Sequence, residues 1–159
     1  MAALIGIITV SDTRTEKTDE SGPAVRQALF ELGYRDFQAC IVPDEIDKIQ
    51  EAILNLTKSC HAVFTTGGTG FAIRDVTPEA TAPLLDKRAD SLCELMRLRG
   101  LGSTDFAHLS RGIAGVCQGA LVVNLPGSPK AVFQGVRAIA MLLKPILQNL
   151  HGEGCSAHE

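Results

Sequence analysis

The chain has 159 residues, of which 45% are hydrophobic and 21% are charged, a composition typical of a globular domain and not of a disordered segment. Its formal net charge of −3 argues against sequence-independent nucleic-acid binding, which requires a basic face. The best candidate for a membrane span, residues 131–150, is interrupted by Gln134, Arg137, Lys144 and Pro145, so we predict no membrane partner.

The five cysteines are widely spaced and form no C-x-x-C pair. We therefore expect buried thiols in a reducing, cytoplasmic environment, and neither a disulfide framework nor a structural zinc site. Residues 2–10 are apolar but have no Lys or Arg before them, so they are predicted to form a strand and not a signal peptide. The length predicts one domain over residues 1–150, followed by a polar tail at 151–159.

Short apolar runs alternate along the chain with segments in which apolar residues repeat at helical spacing. The first such helix has Val25, Ala28, Leu29 and Leu32 on one face and ends at Gly33. In chain order we predict a strand at 4–10, a helix near 25–32, a strand at 38–42, a helix near 46–56, a strand at 62–66, a helical region from about 78 to 99, strands at 113–116 and 120–125, and a helix over 132–150.

This alternation of strands and helices predicts right-handed crossovers and a sheet that is covered on both faces. Only residues 117–119 separate the last two predicted strands, which permits a hairpin and one antiparallel strand. The expected fold is therefore α/β, a three-layer α/β/α sandwich with a mostly parallel mixed sheet. Ligands of such sheets bind outside the carboxyl ends of the strands, so the loops at 11–23, 67–77 and 126–130 are the candidate binding loops.

A glycine-rich turn, Gly67-Gly68-Thr69-Gly70, follows the predicted third strand. Glycine lets the backbone turn sharply and lets its N–H groups approach an anion, although most such sequences are only turns. No Gly-Lys-Ser/Thr follows, and the spacing differs from a dinucleotide-binding fingerprint. A phosphate-binding loop and a plain turn both remain open from the residues alone.

Arg74 and Asp75 come between this turn and a predicted helix cap at Thr77 and Pro78. They could supply a phosphate-binding cation and a metal-binding carboxylate. A solvated ion pair between the two side chains is the alternative interpretation.

The segment Pro126-Gly127-Ser128 leads into the last predicted helix, with Ser128 as a candidate N-cap. The free amide groups of that helix start could also bind an anion. Asp44 precedes the second helix and could simply cap it, and Ser11 and Asp12 are typical turn residues. Before the fourth strand, Ser110 and Arg111 could place another cation near an anion.

Several segments that occur together in this order resemble one known family. They are Thr9-Val10-Ser11-Asp12, Asp19-Glu20-Ser21-Gly22-Pro23, Val42-Pro43-Asp44-Glu45, the run TGGTGFAIRDVTPEAT at 66–81, Leu109-Ser110-Arg111 and the run NLPGSPKAV at 124–132. The set resembles the molybdopterin-binding family of molybdenum-cofactor biosynthesis, of the MogA/MoaB type and similar to the G domain of gephyrin. The resemblance extends from Ile5 to about Val136.

The resemblance implies an α/β/α fold, a homotrimer or homohexamer, and other proteins of molybdenum-cofactor biosynthesis as partners. It also implies adenylylation of molybdopterin by Mg-ATP, with release of pyrophosphate. The alternative is a non-catalytic carrier of molybdopterin or of the finished cofactor, and a weaker one is a related domain that acts on a different nucleotide.

The resemblance assigns roles to individual residues as well. It implies that Asp75 and Asp44 are the functional carboxylates, which could also hold Mg²⁺. Arg74 is added to the predicted binding residues because its charge suits a phosphate. The residues predicted to bind the nucleotide and the pterin are then Ser11, Asp12, Gly67, Gly68, Thr69, Gly70, Arg74, Ser110, Arg111, Pro126, Gly127 and Ser128.

Overall fold

The computed structural model describes residues 2–152. Apart from the helical region predicted at 78–99, the predicted strands and helices are present, with small shifts at their ends. The elements are β1 Leu4–Val10, α1 Ser21–Glu31, β2 Asp36–Val42, α2 Ile46–Thr57, β3 Ala62–Thr66, α3 Thr77–Thr81, a 3₁₀ turn Ala82–Leu84, β4 Lys87–Arg88, α4 Asp90–Gly100, a 3₁₀ turn Asp105–Leu109, β5 Ala114–Cys117, β6 Ala120–Leu125 and α5 Pro129–Leu150.

Six strands form one mixed sheet in the order β2-β1-β3-β6-β5-β4. The first four of these strands are parallel, whereas β5 and β4 run antiparallel to their neighbours. The hairpin between β5 and β6 turns at Gln118 and Gly119, both with positive φ, as two-residue hairpin loops require. The predicted α/β fold with a mostly parallel mixed sheet is therefore confirmed.

Two apolar cores lie on opposite faces of the sheet, because side chains alternate along each strand. In β1, Ile5 and Ile7 belong to the core that contains α1, α4 and α5. Ile8 and Val10 belong to the other core, which packs against α2 and α3. Strands buried on both faces explain the continuous apolar runs in the sequence.

The prediction of one helical region from 78 to 99 is wrong. Helix α3 ends at Thr81, and the edge strand β4 interrupts the region before α4 begins at Asp90. Pro83 has no N–H to continue the helix, and the free edge of β5 offers backbone partners instead. Asp86 N donates to Val116 O, and Ala89 N donates to Ala114 O.

Three further expectations concern the chain as a whole. Within residues 2–152 the cysteines are free thiols, three of them buried; Cys155 lies outside the described residues. The single domain at 1–150 and the polar tail stay predictions, and residues 153–159 of that tail are also outside the described part. No helix within residues 2–152 has both the length and the apolarity needed to cross a membrane.

Candidate active site

The four parallel strands all end at the same level of the sheet. Val10 lies opposite Val42, and Thr66 lies opposite both Thr9 and Leu125. The loops after β1, β2, β3 and β6 therefore meet at the same edge of the sheet. Strand β5 runs the other way and begins at this edge, so the segment before it, residues 110–112, joins the same group of loops.

Residues 67–70, the glycine loop, adopt a backbone conformation that other residues rarely reach. The φ angle is +97° at Gly67 and +68° at Gly68, and a Cβ at either position would collide with Val10 O or Thr77 Oγ1. Thr77 Oγ1 donates to Gly67 O at 2.9 Å, and Thr77 N donates to Gly68 O at 3.0 Å. The predicted N-cap role of Thr77 is therefore wrong, because its hydroxyl ties the loop to α3.

Asp12 and Asp44, here called the acidic pair, bind each other's backbone. Asp12 N donates to Asp44 Oδ2 at 2.9 Å, and Asp44 N donates to Asp12 Oδ1 at 3.0 Å. Arg74 binds the Asp12 carboxylate through Nε and Nη2, both at 2.9 Å. Asp44 does not cap α2, since Glu45 occupies the N-cap position.

The two carboxyl groups of the acidic pair differ in acidity. The hydrogen bond from Arg74 lowers the pKa of Asp12. Burial raises the pKa of Asp44, and the negative charges of Asp12 and Asp75 raise it further. Both carboxylates border the glycine loop, because Asp44 Oδ1 would lie 3.2 Å from a Cβ on Gly68 and Asp75 Oδ2 would lie 2.8 Å from a Cβ on Gly70.

Asp75 follows the glycine loop and is not paired with Arg74, so the alternative of an ion pair between these neighbours is wrong. Its Oδ2 accepts a hydrogen bond from Ala72 N at 2.9 Å, and it has no basic partner within residues 2–152. A Cβ on Gly70 would lie 2.8 Å from Asp75 Oδ2, so a larger residue there would displace this carboxylate. The carboxylate is left partly exposed at the edge of a cavity.

Arg111 braces the glycine loop through its guanidinium group. Its Nε donates to Gly70 O and its Nη2 to Asp75 O, both at 2.9 Å. Its Nη1 pairs with Glu79, which lowers the pKa of that carboxyl. The backbone N of Arg111 also donates to Thr69 O at 2.8 Å. In the structure Arg111 therefore holds protein groups in place, whereas the sequence suggested that it lies near an anionic ligand.

A cavity of about 440 Å³ lies beside the glycine loop. Ser128 lies on its floor, and its Oγ accepts a hydrogen bond from Ala131 N at 3.2 Å, which confirms the predicted N-cap of α5. The predicted binding residues that line this cavity are Gly68, Thr69, Gly70, Asp75, Ser110, Pro126, Gly127 and Ser128.

The other predicted residues lie outside this cavity. Ser11 and Gly67 line a separate cleft of about 120 Å³, which Gly127 also borders. Ser11 Oγ accepts hydrogen bonds from Thr13 N and Arg14 N, as expected of a turn residue. The acidic pair, Arg74 and Arg111 surround the loop but do not line the larger cavity.

Sequence reasoning missed one wall of the cavity, which α4 and the following 3₁₀ turn supply. Met96, Arg97, Phe106 and Leu109 lie on this wall. No motif marks Met96 or Arg97, because the helical pattern of α4 alone describes a partly exposed helix. Phe106 also lies outside every motif, whereas Leu109 begins the segment Leu109-Ser110-Arg111 but was not predicted to bind a ligand. A better signal was available on the floor, where polar Asn124 interrupts the apolar run of β6.

Asn124 joins three elements beneath the cavity. It is 1% exposed, and its Nδ2 donates to the hydroxyl groups of Thr65 and Thr81 at 3.0 and 3.1 Å. Its Oδ1 accepts from Ile113 N at 3.2 Å. A buried amide with all its partners fixes the relative positions of β3, α3 and the start of β5.

The described part of the chain, residues 2–152, contains no group of three or more His, Cys, Asp or Glu side chains that could hold a metal ion by themselves. Asp44 and Asp75 border the glycine loop, and neither is paired with a basic side chain within residues 2–152, unlike Asp12 and Glu79. Magnesium commonly uses one or two protein carboxylates together with water and substrate phosphates. The residues present therefore fit a magnesium ion that arrives with a phosphate ligand.

Comparisons with known proteins agree on one family. Residues 6–149 match the family model described as a probable molybdopterin binding domain. The chain is 38% identical over 141 residues to the molybdopterin adenylyltransferase of Helicobacter pylori strain J99. The aligned stretch covers 85% of this chain and 80% of that protein. A structure of the molybdopterin biosynthesis enzyme MoaB from Thermus thermophilus is 41% identical in sequence and superimposes with a TM-score of 0.84. That match covers 94% of this chain and 97% of the MoaB chain.

A longer relative contains the same domain. The molybdenum cofactor synthesis protein cinnamon of Drosophila melanogaster is 41% identical over 157 residues, or 95% of this chain. The chain spans only about a quarter, 26%, of that protein's length. The match of the family model over nearly the whole chain, with the strand-end loops described above, shows that this chain belongs to the molybdopterin-binding domain family.

Proposed function

We propose that this chain is a molybdopterin adenylyltransferase, which acts in molybdenum-cofactor biosynthesis. In this reaction the terminal phosphate of molybdopterin attacks the α-phosphorus of ATP. A new P–O bond forms, the bond from the α-phosphorus to the bridging oxygen breaks, and pyrophosphate leaves. The observation that carries the proposal is the cavity in which the glycine loop, Asp75 and the start of α5 converge.

Two polyanions must come together in this reaction, so the site must offset their repulsion. The backbone amides of the glycine loop and the first turn of α5 are suited to bind phosphate groups. In this turn Ser128 Oγ caps Ala131 N, and Pro129 has no N–H. Lys130 N is therefore the amide of the turn that has no hydrogen-bond partner within residues 2–152. The floor of the cavity thus supplies fixed dipoles that need not reorganise during the reaction.

The protein need not supply a general base, because a phosphate nucleophile is already ionised near neutral pH. Catalysis then depends on alignment of the two substrates and on stabilisation of charge at the α-phosphate. Asp75 projects from a loop that Arg111 holds by Gly70 O and Asp75 O. We assign Asp75 the task of orienting the reacting groups, with Asp44 as the second carboxylate.

Asp75 and Asp44 are the residues that would hold Mg²⁺ together with the phosphates of ATP. When bound, the ion neutralises charge on the phosphates and on the departing pyrophosphate. Burial raises the pKa of Asp44, and the negative charges of Asp12 and Asp75 raise it further. A cation bound beside Asp44 would offset that part of the shift which comes from the neighbouring charges.

The wider setting follows from the same proposal. We propose a cytoplasmic homotrimer or homohexamer that receives molybdopterin from other proteins of molybdenum-cofactor biosynthesis and passes the adenylylated product on. The partial match to the longer Drosophila protein is consistent with a domain that works beside others in this process.

Incubation of the protein with molybdopterin and Mg-ATP, followed by measurement of pyrophosphate, tests the proposal. We expect catalytic release of pyrophosphate that requires both substrates. Stoichiometric binding of molybdopterin without pyrophosphate would instead identify a carrier. ATP turnover that proceeds without molybdopterin would indicate a related domain with another acceptor.

A further inference from the structure

The charged residues of the cavity are few. Among its lining residues within the described chain, Asp75 and Arg97 are the ones that carry a formal charge. Arg97 lies on α4, in the wall of the cavity that contains none of the predicted binding residues, and its side chain is half-buried. It is therefore the one Lys or Arg that this stretch of the chain, 2–152, presents to the cavity.

The cations expected to meet a phosphate are occupied elsewhere. Arg74 binds the carboxylate of Asp12 with two nitrogens, and Arg111 binds Glu79 and two backbone carbonyls. Lys130 is exposed on the first turn of α5 and does not line the cavity. Arg97 is therefore the basic side chain that the cavity offers to a polyanion, besides any metal ion that the polyanion brings with it.

Hydrogen bonds hold the guanidinium group of Arg97 in place but occupy only one of its three nitrogens within residues 2–152. Its Nη1 donates to Gly112 O at 3.0 Å and to Ser110 O at 3.4 Å. Its Nε and Nη2 have no hydrogen-bond partner within residues 2–152, and no carboxylate there pairs with it. The guanidinium is therefore fixed at one nitrogen while two donors remain available, which suits recognition of a phosphate.

The surroundings of Arg97 strengthen such a contact. The same wall carries the partly buried Met96 and the exposed side chains of Phe106 and Leu109. A ligand that covers these apolar side chains would exclude water there and reduce the screening of the charge on Arg97. A half-buried cation without a carboxylate partner has lost hydration that an anionic ligand could replace.

We propose that Arg97 binds a phosphate group of the substrates from the α4 wall, while the glycine loop and the start of α5 bind phosphate from the floor. The identity of that phosphate rests on the proposed function. Two sources share the chemistry, namely the triphosphate of ATP and the terminal phosphate of molybdopterin.

Calorimetric titration with inorganic pyrophosphate tests the contact directly. We expect Arg97→Gln to weaken pyrophosphate binding by about 10- to 100-fold, as loss of a charge-assisted hydrogen bond does. Arg99→Gln is the matched control, because Arg99 is exposed on the same helix and does not line the cavity. Binding by Arg97→Gln within twofold of the original protein would overturn the proposal.

A second comparison separates phosphate binding from a purely structural role. Arg97 also tethers the loop before β5 through Gly112 O, so its loss could disturb the cavity. Adenosine has no phosphate, so if Arg97 binds phosphate, Arg97→Gln and the original protein should bind adenosine equally well. Arg97→Lys should then recover part of the pyrophosphate affinity. A parallel loss of adenosine binding, with no recovery in Arg97→Lys, would show that the residue is only a tether and would overturn the proposal.

Steady-state kinetics distinguish the two sources of the phosphate. A KM raised for ATP alone assigns Arg97 to the triphosphate, and a KM raised for molybdopterin alone assigns it to the pterin phosphate. If the original protein releases no pyrophosphate but Arg97→Gln still loses pyrophosphate affinity, the proposed function fails and the phosphate contact stands.

Discussion

Two groups of charged residues flank the glycine loop, and they differ in how their charges are balanced. In one group, here called the paired side, Arg74 pairs with Asp12 and Arg111 with Glu79, and Arg111 also donates to two carbonyl groups of the loop. In the other group, here called the unpaired side, Asp75 and Arg97 line the cavity and have no partner of opposite charge within the described residues. The paired charges therefore fix the shape of the loop, whereas the unpaired ones are available to a ligand.

The largest effect should come from the unpaired side. We expect Asp75→Asn to lower the rate of adenylylation by at least about 100-fold, because it removes the charge that orients the reacting groups. The fold should remain, since the amide oxygen can still accept the hydrogen bond from Ala72 N. Pyrophosphate release and thermal unfolding measure the two effects.

Asp47→Asn is the control for this substitution, because Asp47 is exposed in the first turn of α2. It should change neither activity nor unfolding to a comparable degree. Near-normal turnover by Asp75→Asn would remove the distinction between the two groups of charges.

On the paired side, we expect Arg111→Gln to act first on stability. The carbonyl groups of Gly70 and Asp75 lose their donor, which should lower the free energy of unfolding by about 2 kcal/mol and reduce kcat by about tenfold through a looser loop. Urea denaturation and steady-state kinetics with ATP test this.

Glu79→Gln offers the matched comparison, because it disturbs the ion pair and leaves both carbonyl contacts of Arg111 intact. Its half-exposed carboxylate should contribute less than about 1 kcal/mol. An equal loss of stability in both variants would show that the ion pair, and not the carbonyl contacts, holds the loop.

A smaller effect is expected at Ser128, which belongs to the cavity floor and also caps α5. Ser128→Ala should lower the free energy of unfolding by about 1 kcal/mol through loss of the bond to Ala131 N, and should weaken pyrophosphate binding. Ser128→Thr should retain most of the cap. Unchanged pyrophosphate affinity in Ser128→Ala would limit Ser128 to its structural role.

The smallest effect is a shift in acidity within the acidic pair. We expect Asp12→Asn to lower the pKa of Asp44, because a neighbouring negative charge is removed and Arg74 is left unneutralised. Arg74→Gln should raise it, because a nearby positive charge is lost. A carboxyl-carbon NMR titration measures both shifts, and a shift of the same sign in the two variants would contradict the assigned pairing.

The same shifts give opposite dependences of stability on pH. The pKa of Asp12 is lowered in the fold, so the stability that it contributes is present at neutral pH and is lost as the pH falls through that lowered pKa. The pKa of Asp44 is raised in the fold, so its contribution is complete below its unfolded pKa and is lost as the pH rises through the raised one.

The comparison also shows which parts of the molecule could be predicted from the sequence. The four parallel strands have continuous apolar runs, and their carboxyl ends place the glycine loop and Ser128 at one edge. Strand β4 could not be predicted, because two exposed residues, Lys87 and Arg88, form a strand only where the free edge of β5 lies beside them.

The roles of individual charges were harder to predict than their positions. Arg74 and Arg111 lie in the expected loops, but their partners come from residues 62 and 32 positions away in the chain. Arg97 carries no motif, and its exposure to the cavity depends on how α4 packs against α5. Pairing of charges is a tertiary property that local sequence does not encode.

The most direct test of the central claim follows the label from ATP that carries ³²P at the α-phosphate. The protein, molybdopterin and Mg²⁺ are present, and the products are separated by charge and size. We expect the label to move onto the pterin while unlabelled pyrophosphate is released. Label that stays in free AMP or ADP, with the pterin bound but unmodified, would contradict the central claim.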